Sequence, residues 1–122
     1  MPGIARLSLT ALDCPDPRAL AEFYAGITGW PVDEDSDDDW VELRSGGGHT
    51  LAFQRAADHQ APTWPDGERP QQLHLDFDVP NLDEAETALL ALGARKAEHQ
   101  PGTTFRVYLD PAGHPFCLVL VS

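Results

Sequence analysis

Gly48-His49-Thr50-Leu51-Ala52-Phe53 returns 65 residues later as Gly113-His114-Pro115-Phe116-Cys117-Leu118, each stretch opening a strand after a glycine turn. At the same offset Asp13-Cys14-Pro15-Asp16 returns as Asp78-Val79-Pro80-Asn81, each ending an apolar run and opening a helix. The identities are only Asp13/Asp78, Pro15/Pro80, Gly48/Gly113 and His49/His114, a number that chance supplies. The weight falls on placement, because the same punctuation marks fall at the same points of two successive βαβββ readings. The fold class expected is therefore α+β, with two βαβββ modules forming a cupped mixed sheet around a shared cavity. Residues 65 apart then become equivalent positions around that cavity.

Working outward, Ile4 to Asp13 reads as a strand with Leu7, Leu9 and Ala11 on one face. Asp16 and Pro17 supply an N-cap and a first-turn proline, Leu20, Phe23, Tyr24 and Ile27 follow at helical spacing, and Gly29 ends the helix. Val32 marks a short strand, Trp40 to Arg44 a longer one, and His49 to Arg55 the return of a hairpin. Gln72 to Val79 alternates as a strand, Asn81 with Glu84 forms a capping box, and Leu82, Ala85, Leu89 and Leu92 make a buried stripe ended by Gly93. Arg95 to His99, Thr104 to Leu109 and Pro115 to Val121 complete the strands. One domain is expected over residues 1–122, with a first module over about 1–57, a proline-rich linker over about 58–70 and a second module over about 71–122.

Twenty acids stand against eight bases, a formal charge of −12, and Lys96 is the single lysine. Such a surface repels phosphate, so neither nucleic acid nor an anionic membrane is an expected partner. Part of the excess lies in Asp33-Glu34-Asp35-Ser36-Asp37-Asp38-Asp39, either a solvated loop or an element that steers a cationic ligand. No apolar run approaches the roughly 18 residues of a membrane span, and the N-terminus lacks a basic leader before an apolar segment. Two cysteines make no disulfide framework, so a cytoplasmic location is expected.

Ala19-Leu20-Ala21-Glu22-Phe23-Tyr24 followed by Gly29-Trp30, then Leu73-His74-Leu75-Asp76, Leu92-Gly93-Ala94 and the closing Asp110-Pro111-Ala112-Gly113 hairpin together resemble the vicinal oxygen chelate superfamily. That superfamily includes glyoxalase I, extradiol dioxygenases and bleomycin-resistance proteins, and the variants here look like its glyoxalase-like branch, whose members mostly lack an assigned reaction. The resemblance implies metal ligands on the first and last strand of each module, His or Gln on the first and Glu on the last. Here those positions hold His74 and Cys117 in the second module, Leu9 and Ala52 in the first. Leu9 and Ala52 cannot bind a metal, and His74 with Cys117 falls short of three or four ligands. No metal and no other cofactor is expected, with a divalent ion on a nonstandard set as the disfavoured option.

Asp76 lies two residues from His74 on the same strand face, and Asp78 continues that face. Either these groups stay solvated at the cavity mouth, or His74 and Asp76 act as ligand-binding or catalytic polar groups, the carboxylate raising the basicity of the imidazole. Cys117 is either a buried small hydrophobe or a member of that cluster. Trp64 in the linker either packs onto the rim or closes over a ligand. Phe53, Trp40 and Leu9 complete the expected pocket wall, whose aromatic part suits a flat ligand. The function expected is binding of an apolar, aromatic or cationic small molecule by a protein with a degenerate metal site. The alternative is a lyase, isomerase or dioxygenase using His74 and Asp76, with or without a divalent metal. A homodimer is expected, because each module offers a sheet edge.

Overall fold

The computed structural model describes residues 3–121. The chain divides into two compact units, one ending at His59 and the other beginning at Gln60. Each carries one helix on one mixed sheet, so the α+β class holds, with sheets of three and four strands and no closed barrel. Among the described residues no helix is long and apolar enough to cross a membrane.

The first unit runs β1 (Thr10–Cys14), α1 (Pro17–Thr28), β2 (Trp40–Arg44) and β3 (Thr50–Arg55), in the sheet order β1-β3-β2. Asp16 caps α1 by accepting a hydrogen bond from the Ala19 amide at 3.3 Å, and Gly29 stops it at φ 75°, a conformation glycine adopts without a side-chain penalty. The buried stripe is Leu20, Ala21, Phe23 and Tyr24. Tyr24 stacks on Phe53 with ring centroids 5.6 Å apart, tying helix to sheet. Burying each such side chain contributes about 1.5–3 kcal/mol, which is why the stripe rather than helix propensity holds α1 in place.

The second unit runs β4 (Leu75–Val79), α2 (Leu82–Ala91), β5 (Arg95–Lys96), β6 (Phe105–Leu109) and β7 (Pro115–Leu120), in the order β4-β7-β6-β5. Adding 65 to the limits of β1, β2 and β3 gives those of β4, β6 and β7 (10 to 75, 40 to 105, 50 to 115). The ladders repeat too: Thr10 faces Leu51 in a parallel pair as Leu75 faces Phe116, and Trp40 faces Gln54 in an antiparallel pair as Phe105 faces Val119. Asn81 accepts from the Glu84 amide at 3.0 Å just as Asp16 accepts from Ala19. Even the hairpin turns match. Ser45 Oγ accepts from the amides of Gly47 and His49, while Asp110 Oδ1 accepts from those of Ala112 and His114. The repeat slips by one residue only at the third element: Val32 bridges Leu43 where Lys96 pairs with Tyr108, an offset of 96 − 32 = 64.

Several expected boundaries change. Residues 4–9 do not extend β1, and Ile4 and Leu7 are fully exposed. β3 begins at Thr50, after the Gly48 turn, and in this register Thr50 stands opposite Leu9, so nothing before Leu9 has a partner position in β3. His74 likewise falls one residue before β4, opposite Pro115, which has no backbone N–H. Val32 makes only an isolated bridge, and Arg95 to His99 contracts to two residues. Leu92 is 40% exposed because α2 ends at Ala91 and the chain turns at Gly93, φ 107°.

Candidate functional site

The faces of the second sheet decide what the site contains. Tyr108 donates to Glu86 of α2 at 2.8 Å, Arg106 bonds Asp83 of α2, and Phe116 packs against Tyr108 and Phe77. These residues therefore share the helix face. Register then places Asp76 with Cys117, Asp78 with Val119, and Phe105 and Val107 with Val119 and Cys117 on the opposite face.

On that opposite face the second unit holds a cavity of about 160 Å³. Its floor is Phe105 and Val107 of β6 and Pro115 and Cys117 of β7, with Phe116 behind them. Trp64, Gln71 and His74 from the segment before β4, and Pro101 from the β5–β6 loop, close its sides. Both closing segments are anchored. Thr63 and Arg69 exchange hydrogen bonds, the Thr63 amide donating to the Arg69 carbonyl and the Arg69 amide to Thr63 Oγ1, each at 2.7 Å. The Arg69 guanidinium also donates to the Ala61 carbonyl at 2.9 Å, and the Trp64 ring meets His99 at 5.5 Å. Gln100 pins the other loop, donating to the carbonyls of Ala97 and Val107 and accepting from the Val107 amide. Gly102 leaves room for the Phe105 ring, with which any Cβ at that position would collide.

His74 Nε2 lies 3.4 Å from Asp76 Oδ1, both side chains about half exposed. Burial, and then the neighbouring Asp76 carboxylate, pushes the Cys117 thiol up to about 11. In the metal-free site both causes favour the thiol over the thiolate. The remaining donors are one imidazole and one carboxylate already turned on each other. Among the described residues no group of three or more His, Cys, Asp or Glu side chains is arranged to hold a metal ion. The residues present do not fit the divalent centre that the superfamily resemblance implies.

Of the residues singled out from sequence, His74, Cys117 and Trp64 line this one cavity, with Asp76 beside it. Leu9, Trp40 and Phe53 belong to the first unit. Phe53 is fully buried on the helix face of its sheet, stacked on Tyr24. Trp40 lies on the other face and donates its indole N–H to Glu42 at 2.7 Å. Gln71 and Pro101 were missed. Both lie outside regular structure, where no periodicity tells the direction of a side chain.

A family model described as a glyoxalase-like domain matches residues 10–119. The comparison with curated proteins returns no match. Among solved structures, a glyoxalase/bleomycin resistance protein/dioxygenase family enzyme from Burkholderia phytofirmans superposes with a TM-score of 0.75 at 20% identity, over 97% of this chain and all of the other. A glyoxalase family protein from Enterococcus faecalis gives 0.67 at 21% identity, over 95% and 98%. The fosfomycin resistance protein FosX from Listeria monocytogenes, in complex with Mn(II) and dihydroxypropylphosphonic acid, gives 0.73 at 18% identity, over 98% and 93%. Identities this low carry the fold alone.

Proposed function

The chain belongs to the glyoxalase-like family, and on that premise we propose that it is a small-molecule-binding member that holds an apolar or aromatic ligand without metal chemistry. One observation carries this reading. The cavity of the second unit is walled by Trp64, Phe105, Val107, Pro101 and Pro115, with few polar groups among them, the composition typical of ligand sites. No Lys or Arg lines it, and the chain carries a charge of −12, so its guest is neutral or cationic rather than an anion of the kind bound by FosX. Asp76 and Asp78, exposed on the same sheet face, favour a positive group at the opening.

Thermal melting of the chelator-stripped protein tests this reading, with neutral and cationic aromatic compounds set against phosphonates and divalent ions. A compound present at a hundred times its dissociation constant adds about 2.7 kcal/mol, an easily seen rise. Stabilisation by aromatic compounds that is lost in Trp64→Ala is the expected result. Stabilisation by a divalent ion that vanishes in His74→Ala would overturn it.

The 3.4 Å approach of His74 to Asp76 favours a second reading, a metal-independent lyase or isomerase. A carboxylate that orients an imidazole supports proton abstraction. Turnover lost in both His74→Ala and Asp76→Asn, with ligand binding retained, would select it. We also propose a cytoplasmic homodimer. Its support is the two cysteines outside any disulfide and the strands β1 and β4, each at one end of its sheet. Light scattering that gives a monomer mass would sink the dimer.

A further inference from the structure

The wall of the cavity contains one polar atom whose state demands an explanation. Gln71 Oε1 is buried and has no hydrogen-bond partner, the single such side-chain atom among the described residues. Buried polar atoms nearly always have partners, and an unpaired acceptor in a native structure points to a missing group. Gln71 follows the loop closed by the Thr63–Arg69 pair and lines the cavity together with Trp64 and His74. A turn of its terminal amide presents this oxygen to whatever enters the cavity.

Size and chemistry together narrow the visitor. A cavity of about 150 Å³ suffices for benzene, and this one measures about 160 Å³. The rings of Trp64 and Phe105 and the flat faces of Pro101 and Pro115 offer apolar surface around it. An acceptor that lacks a partner requires a donor. We infer that Gln71 is the specificity-determining residue of this cavity and that the group it takes is a single aromatic ring bearing an O–H or N–H donor, a phenol or an arylamine. The inference rests on the binding function proposed above and adds to it a chemical class and the residue that selects it. A larger ligand satisfies it when such a ring is the part that enters.

The test uses isosteres. Phenol, aniline and toluene have nearly the same size, and only the first two donate. Anisole keeps the oxygen but cannot donate. Affinities measured by calorimetry on the full chain are expected to favour phenol and aniline at least tenfold over toluene and anisole. In Gln71→Met the preference collapses to within about twofold while toluene binds as well as before. In Gln71→Glu, which keeps an acceptor at the same place, the preference for donors returns. Circular dichroism and melting confirm that both variants fold, as expected for a change outside helix and strand. Equal binding of all four compounds to the unaltered protein would overturn the assignment of Gln71 and leave the binding function standing. No binding of any ring would overturn both.

Discussion

Asp76 of β4 stands directly across the parallel ladder from Cys117 of β7, so carboxylate and thiol share the sheet face that carries the cavity. The pairing adds to burial in holding this cysteine as a thiol. Burial disfavours the thiolate first, the adjacent negative charge disfavours it further, and together they move the thiol from 9.0 to about 11. At pH 8 the thiolate fraction is then about one in a thousand. Alkylation of Cys117 by iodoacetamide, followed by peptide-resolved mass spectrometry, is expected to run about a hundredfold slower than in the urea-unfolded chain. Asp76→Asn removes one of the two causes and is expected to speed it several-fold. Alkylation at the unfolded rate would show the thiol to be ionised. The stability consequence has a definite sign. A group whose folded pKa is raised holds its proton longer than the unfolded chain does, so its contribution is full below about pH 9 and is lost as pH rises towards about 11. Cys117→Ala flattens that alkaline limb.

Asp110 is 1% exposed and ties the β6–β7 turn by accepting from two amides, at 2.8 and 3.0 Å. Asp110→Ala strands both donors in a buried turn and is expected to cost about 3 kcal/mol in urea denaturation. Ser45 does the same work 65 residues earlier in a solvated turn, so Ser45→Ala is expected to cost about 1 kcal/mol. The repeat supplies a remedy. Asp110→Ser imports the first unit's solution and is expected to recover at least half of the loss. Failure to recover any would mean that the two turns are equivalent in backbone only.

The sequence made these equivalences readable because they rest on punctuation. Asp16 and Asn81 at the caps, Gly48 and Gly113 in the turns, and the limits of the strands between them follow from local chemistry that any copy must keep. Alternation was less informative where a strand is buried on both faces. Leu51, Ala52 and Phe53 are all buried in succession, so nothing in the pattern told which face takes Phe53. Ladder ends were illegible for a different reason. Leu9 and His74 continue an apolar or alternating run, but each stands opposite the first residue of its partner strand, Thr50 and Pro115, where the ladder ends. Of the candidate site, the superfamily resemblance pointed to His74 and Cys117, whereas Gln71 depended on a coil whose course is set by the Thr63–Arg69 closure.

Glu86 gathers three side chains on the helix face of the second unit. Lys96 Nζ lies 2.9 Å from its carboxylate, the Tyr108 hydroxyl donates at 2.8 Å, and Arg106 approaches at 3.4 Å. The Lys96 ammonium first, and the Tyr108 hydroxyl next, hold the Glu86 carboxyl below its usual range. A lowered folded pKa means that the stabilisation is present above the unfolded value of 4.5 and is lost as pH falls through the folded one. Glu86→Gln is expected to cost about 1–2 kcal/mol at pH 7 and much less at pH 3, read from urea midpoints. An equal loss at both would assign the effect to packing rather than charge.

Gly48 and Gly113 occupy equivalent turns at φ 101° and 90°, where an L side chain is strained, yet their surroundings differ. A Cβ at Gly48 meets nothing within 4 Å, whereas one at Gly113 collides with the Cβ of Ala61. Gly48→Ala therefore measures the conformational cost alone, about 1–2 kcal/mol. Gly113→Ala is expected to cost at least about 1 kcal/mol more, the range in which overpacking falls. Ala61→Gly removes the obstructing carbon, so the double variant Ala61→Gly/Gly113→Ala is expected to fall back to the Gly48→Ala value. Because Ala61 leads into the loop that carries Trp64 to the cavity, Gly113→Ala displaces that wall as well. Ring binding is expected to weaken in Gly113→Ala, to remain in Gly48→Ala, and to return in the double variant. Unchanged binding in all three would separate the turn from the cavity.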